Sequence, residues 1–130
     1  MATIEKLEEI ISWQKSLKVV KLIYQETNNE KFSRDFGLKD QIRRSAVSIP
    51  SNIAEGFGRG GNKEFIQFLS IAKGSTFELK TQLLIAKDLD YIDEKQFMFI
   101  HKELDDIGKL LTAFQSYLKQ SEMKGEKFVR

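Results

Sequence analysis

The sequence predicts an all-α fold, an antiparallel up-down-up-down four-helix bundle. Three observations carry this expectation. Apolar residues recur at steps of three and four along nearly the whole chain, the period of helices that bury one face. Four such runs are separated by short connectors rich in Asn, Gly and Asp. One Pro and no Cys among 130 residues leave little to interrupt helices and no disulfide to staple a smaller fold. A chain of this length can bury a core unaided. Residues 1–120 are expected as one bundle domain, and the polar stretch 121–130 as a frayed tail.

The first helix is expected over about residues 5–28, with Ile10, Trp13, Leu17, Val20 and Tyr24 as its stripe and Asn28 and Asn29 as its end. Residues 29–37 read as a connector closed by Gly37. The second helix carries Leu38, Ile42, Ala46, Ile49, Ile53 and Phe57 on one face. Pro50 lies inside that run, where a missing N–H and a bulky ring cost roughly 3 kcal/mol. The apolar spacing stays in phase across it, so the expectation is one helix kinked at Pro50, with Ser45 and Ser48 available to satisfy freed backbone groups. Gly56, Gly58, Gly60 and Gly61 end this helix.

Gly61 or Asn62 caps the third helix, whose stripe is Phe65, Leu69, Ala72, Thr76, Leu79, Leu83 and Ala86. Gly74 in its middle would let another helix approach closely. Asp90–Ile92 is a tight connector, and Asp93 with Gln96 makes a capping box. The fourth helix has the cleanest ladder in the chain: Phe97, Ile100, Leu104, Ile107, Leu111, Phe114 and Leu118. Val19, Ile23, Ile66, Phe77, Leu84, Ile85, Leu110 and Tyr117 lie off these stripes, and such spare apolar positions predict a homo-oligomer.

Net charge is +2, but it is unevenly spread: residues 31–64 hold seven Lys or Arg against four Asp or Glu. Lys39, Arg43, Arg44, Arg59 and Lys63 are the candidate phosphate contacts of a nucleic-acid-binding face. The competing reading pairs Arg43 or Arg44 inside the bundle with Glu55 or Glu78. The glycine-rich run Gly56–Glu64 before a helix start either cradles a phosphate, helped by Arg59 and Lys63, or is a plain connector.

No catalytic constellation assembles. His101 is the only His and reads as a boundary residue, Asp88, Asp90, Asp105 and Asp106 read as exposed carboxylates, and no Glu-x-x-His motif is present. The expectation is therefore a non-enzyme without metal or cofactor. No segment approaches the ~20 apolar residues of a membrane span, and residues 1–15 lack a signal-peptide core, so a cytoplasmic protein is expected.

The wording of two segments adds to this. Gln41–Arg59 (QIRRSAVSIPSNIAEGFGR) and Lys63–Ser75 (KEFIQFLSIAKGS) closely resemble the bacterial four-helix bundle family labelled S23, noticed as reading frames in intervening sequences of 23S ribosomal RNA genes. Trp13–Ser16, Phe36–Leu38 and Glu78–Leu83 fit as well, and the resemblance spans about residues 10–120. It implies a homopentamer of four-helix bundles. The chain is also similar to accessory proteins of diversity-generating retroelements, which implies engagement of nucleic acid and a reverse transcriptase. Two partners follow as expectations: structured RNA, or a protein such as a polymerase for which the bundle is a scaffold. The net charge of +2 is low for a nucleic-acid barrel, and Gly61 stands where many relatives carry a Ser cap.

Overall fold

The computed structural model describes residues 4–123, with side chains through Ser121. A 3-10 turn at Leu7–Glu9 leads into α1 (Ile11–Glu26), the single turn α2 (Glu30–Ser33), α3 (Phe36–Arg59), α4 (Asn62–Asp88) and α5 (Glu94–Met123). No strand occurs among the described residues. α1 packs on α3 and α5, and α4 packs on the same two helices, so the four long helices surround one buried cluster.

The expected stripes of α3, α4 and α5 enter that cluster. Ile42, Ala46, Ile49 and Ile53 of α3, all seven named positions of α4, and Ile100, Leu104, Ile107, Leu111 and Leu118 of α5 are buried. α1 differs. Its buried side is Ser12, Ser16, Val19 and Ile23, while Leu17 and Tyr24 are exposed and Trp13 and Val20 sit at the core's edge. Two serines on the inner face hid the true phase from a hydrophobicity pattern. Ser16 satisfies its hydroxyl by donating to the Trp13 carbonyl at 2.8 Å. Val19 and Ile23 are thus core residues, not spare ones. The described residues before Ile11, from Ile4 on, are not α-helical; the Glu9 carboxylate accepts the Glu5 and Lys6 N–H groups at 2.8 and 3.1 Å, which holds its pKa below the ordinary value.

The expected connector 29–37 contains α2, capped by Asn29, whose Oδ1 accepts the Phe32 N–H at 2.8 Å. α3 then starts one residue before Gly37, because Asp35 caps it by accepting the Leu38 N–H at 3.1 Å. α3 runs without interruption through the buried Pro50. Ser45 and Ser48 do not serve the backbone there. They reach across to α4, Ser45 donating to Glu78 Oε1 at 3.2 Å and Ser48 sharing a 2.8 Å hydrogen bond with Ser75.

Gly56 and Gly58 remain helical. Gly60, at φ 82°, is the residue that ends α3, and Gly61 caps α4 in extended conformation. Gly56 marks the tightest contact between α3 and α4: a Cβ there would lie 2.7 Å from Phe65 Cδ1 and 2.8 Å from Phe68 Cβ. Gly74, by contrast, has no such neighbour within 4 Å among the described residues, so none of the described helices uses the approach it permits.

One end of the bundle is clamped by polar side chains. Asp90 adopts φ 61° and closes α4 with a Schellman turn, Tyr91 N donating to the Ala86 carbonyl at 2.8 Å and Asp90 N to that of Lys87 at 2.9 Å. Asn29 Nδ2 donates to the carbonyls of Glu26 and Tyr91 at 2.8 and 2.9 Å. The Tyr91 hydroxyl donates to Asp35 Oδ2 at 3.0 Å, and its ring packs 5.2 Å from that of Phe32. At the other end, the buried Asn62 donates to the Leu118 carbonyl at 3.0 Å. α5 continues past residue 120 to Met123, with Ser121 buried; the remainder of the expected tail, 124–130, lies outside the described residues.

Candidate functional site

The five basic residues read from the sequence do not form one patch. Arg43 and Lys39 lie near the start of α3, Arg59 and Lys63 near its far end, separated by ~24 Å of helix. Each arginine is engaged. Arg43 Nε donates to Thr27 Oγ1 at 2.8 Å and its NH2 to Asn28 Oδ1 at 3.2 Å, with the guanidinium 4.3 Å from the Tyr24 ring centre. It ties α3 to the end of α1. Arg44 pairs with Asp40 one turn away at 2.9 Å and is 78% exposed. Arg59 bridges Glu55 at 3.0 Å and Glu64 at 3.4 Å, and lies over the Phe68 ring at 5.1 Å. Lys39 stands 5.8 Å from the Phe36 ring centre, and Lys63 is exposed. The carboxylates offered as internal partners are used differently: Glu55 by Arg59, and Glu78 by Ser45.

Between α3 and α4 runs a polar seam. Asn52 Nδ2 donates to Ser48 Oγ at 2.9 Å, and Ser48 joins Ser75 across the helices. The seam opens into a groove of about 380 Å³ lined by Gln41, Arg44, Ser45, Ser48, Glu78 and Gln82. Gln82 is only 7% exposed, and its Oε1 has no hydrogen-bond partner among the described residues.

A second groove, of about 470 Å³, lies between α4 and α5. Lys73, Phe77 and Lys80 of α4 face Asp105, Gly108, Lys109, Thr112 and Ala113 of α5 across it. Lys80 is salt-bridged to Asp105, and that hydrogen bond, more than the nearby charges, holds the Asp105 carboxyl below the ordinary aspartate range. Lys80 Nζ also stands 4.9 Å from the centre of the Phe77 ring, which is 55% exposed. A signal for this surface was present in the sequence. Lys73, Lys80 and Lys87 recur every seven residues on α4, as do Lys95, Lys102 and Lys109 on α5. Such rows flank a helix–helix seam. Lys87 meets Glu94 at 3.3 Å and Lys102 meets Asp106 at 3.9 Å. Lys73 and Lys109 make no ion pair among the described residues.

His101 is half-buried, 3.6 Å from Asp105 and packed on Phe97. Among the described residues, no three His, Cys, Asp or Glu side chains gather in a way that would hold a metal ion, and no helix is long and apolar enough to cross a membrane.

Residues 8–113 match the family described as 23S rRNA-intervening sequence protein. The chain belongs to this family. Six chains of solved structures match it. One is a protein of unknown function from the S23 ribosomal protein family of Bacteroides thetaiotaomicron VPI-5482. It is 30% identical with a TM-score of 0.74, over 81% of this chain and 98% of that one. No curated protein matches. The stretch shared with the 23S rRNA-intervening sequence family includes α1, α3, α4 and every residue named in the α4–α5 groove.

Proposed function

We propose that this 23S rRNA-intervening sequence protein is a non-enzymatic, cytoplasmic, homo-oligomeric bundle that binds structured RNA or an RNA–protein complex. The pentamer is the assembly its family resemblance implies. Within each protomer, consecutive long helices run up and down, and α3 bends at Pro50. The bonds Asn62–Leu118 and Asp35–Tyr91, each joining the start of one long helix to the end of another or its connector, support that topology.

The observation that carries the assembly is the outer side of α4. Ile71 and Ile85 of α4, and Leu89 at its C-terminal cap, are exposed, and Gly74 between Ile71 and Ile85 is open. Ile71 and Leu89, 18 residues apart, share one azimuth on an ideal helix. A helix apolar on more sides than its own bundle covers belongs in a larger core. Light scattering with ultraviolet absorbance, before and after nuclease, tests the reading. A particle near five times 15.1 kDa that sheds nuclease-sensitive material supports it. A monomer, or an oligomer indifferent to RNA, contradicts the corresponding half.

A second reading, a scaffold for a protein such as a polymerase, is favoured by one observation. Phe36, Met98 and Phe99 are exposed at the starts of α3 and α5, at the end of the bundle joined by the Asp35–Tyr91 bond. Specific capture of a polymerase by a protein that ignores RNA, abolished by Phe99→Asp, would establish it.

A further inference from the structure

We propose that the groove between α4 and α5 binds a nucleotide unit, with the base stacked on Phe77 and the phosphate held between Lys73 and Lys109. For the class of ligand this rests on the nucleic-acid reading above; for the place it departs from the basic residues of α3.

The three arginines of the α3 set are engaged by neighbouring carboxylates, hydroxyls, amides or rings. Lys73 and Lys109 have no ion pair among the described residues, and both line the same cavity. Between them the floor is low. A Cβ at Gly108 would meet nothing within 4 Å, so the groove admits a flat group beside the helix backbone. Phe77 stands one turn after Lys73, more than half exposed, with the Lys80 ammonium over one face of its ring. With 55% of its surface exposed, the ring can also take a planar partner. Lys80 is in turn held by Asp105, which fixes the ring's cationic neighbour and cancels its charge. The groove therefore offers an aromatic platform with two lysines beside it that make no close ion pair among the described residues, Lys109 acting on Asp105 only at longer range, the combination that binds a base and its phosphate without reading sequence.

The test titrates the purified, assembled protein with a labelled oligouridylate of about ten nucleotides, within the usual strand site size, followed by anisotropy, and with adenosine monophosphate as competitor. Phe77→Ala is expected to weaken oligonucleotide binding at least about fivefold. Lys73→Gln with Lys109→Gln is expected to flatten the slope of log affinity against log salt by about 1.4, two contacts at ~0.7 each. Lys39→Gln with Lys63→Gln is expected to change neither. Competition by adenosine monophosphate shows that a free nucleotide suffices; binding without competition assigns the groove to a strand, and both outcomes support the site. Loss of binding in the Lys39/Lys63 variant, with the groove variants unaffected, overturns the site and leaves RNA binding standing. A wild-type protein that binds neither probe overturns the groove site; the reading of structured RNA is tested separately by the nuclease-sensitive mass. A fall in particle mass on Phe77→Ala assigns the groove to a second copy of the chain and overturns the proposal.

Discussion

Replacing Gly56 by Ala probes how closely α3 and α4 meet. The added methyl would sit 2.7 Å from Phe65 Cδ1 and 2.8 Å from Phe68 Cβ, against ~3.5–4.0 Å for ordinary carbon contacts. Neither neighbour can step aside. Phe65 is fully buried and wedged edge-on against Phe114 at 5.0 Å, and a Cβ moves only with its backbone. The helices must therefore separate along the seam that also holds Ser48 to Ser75. Overpacking of this kind costs about 1–3 kcal/mol, while Ala in place of Gly within a helix returns up to ~1 kcal/mol. The net expectation is a loss of about 1–2 kcal/mol. With an unfolding entropy of ~2.1 cal/mol/K per residue over 130 residues, thermal unfolding followed by circular dichroism should fall by about 4–7 °C. Gly108→Ala, whose methyl meets nothing within 4 Å, should instead gain up to ~1 kcal/mol. A Gly56→Ala protein as stable as the wild type would refute the close approach.

Four further substitutions separate structural from incidental polar contacts. Arg43→Ala should cost about 1–3 kcal/mol, since it strips charge-assisted bonds from Thr27 and Asn28; Arg44→Ala removes only an exposed pair worth ~0.3–0.5 kcal/mol. Equal thermal midpoints for the two variants would show that Arg43 does not tie α3 to α1. Asn29→Ala loses the α2 cap and both carbonyl contacts, so a loss of about 1–3 kcal/mol is expected in denaturant titration; a loss below ~0.5 kcal/mol would mean the clamp carries no weight. The hydrogen bond to the Asp35 carboxylate raises the Tyr91 pKa above its ordinary value. Its stabilisation is therefore complete below the unfolded tyrosine pKa and lost as pH rises through the raised one. The stability gap between wild type and Tyr91→Phe should stay full below about pH 10 and close as the pH rises beyond it, and a gap that stays constant would contradict the bond.

Most of the helical pattern was legible because burial and apolar spacing coincide in α3, α4 and α5. α1 was misphased because Ser12 and Ser16, small rather than apolar, face the core. The α2 turn escaped notice since four residues show no period; only Asn29 three positions before Phe32 hinted at a cap. The extent of α3 was misjudged because Gly56 and Gly58 look like breakers, whereas Gly56 is where a neighbouring helix needs the room. At the candidate sites, the sequence located cations but not their partners. Arg59 between Glu55 and Glu64 is an intrahelical pair and a neighbour across the Gly60–Gly61 turn, distances that a linear reading underweights. The α4–α5 groove needs two helices in register, and its lysines, 36 residues apart in the case of Lys73 and Lys109, become neighbours only in the fold.

In the proposed assembly, the uncovered side of α4 is an interface between copies of the chain. Light scattering of the wild type and of the double variant Ile71→Glu, Ile85→Glu tests it most directly. Both residues are exposed in the single chain, so the variant should keep its helical circular dichroism. The wild-type particle is expected near five times 15.1 kDa, and the variant at the mass of one chain. A monomeric wild type, or a variant that assembles unchanged, would contradict it.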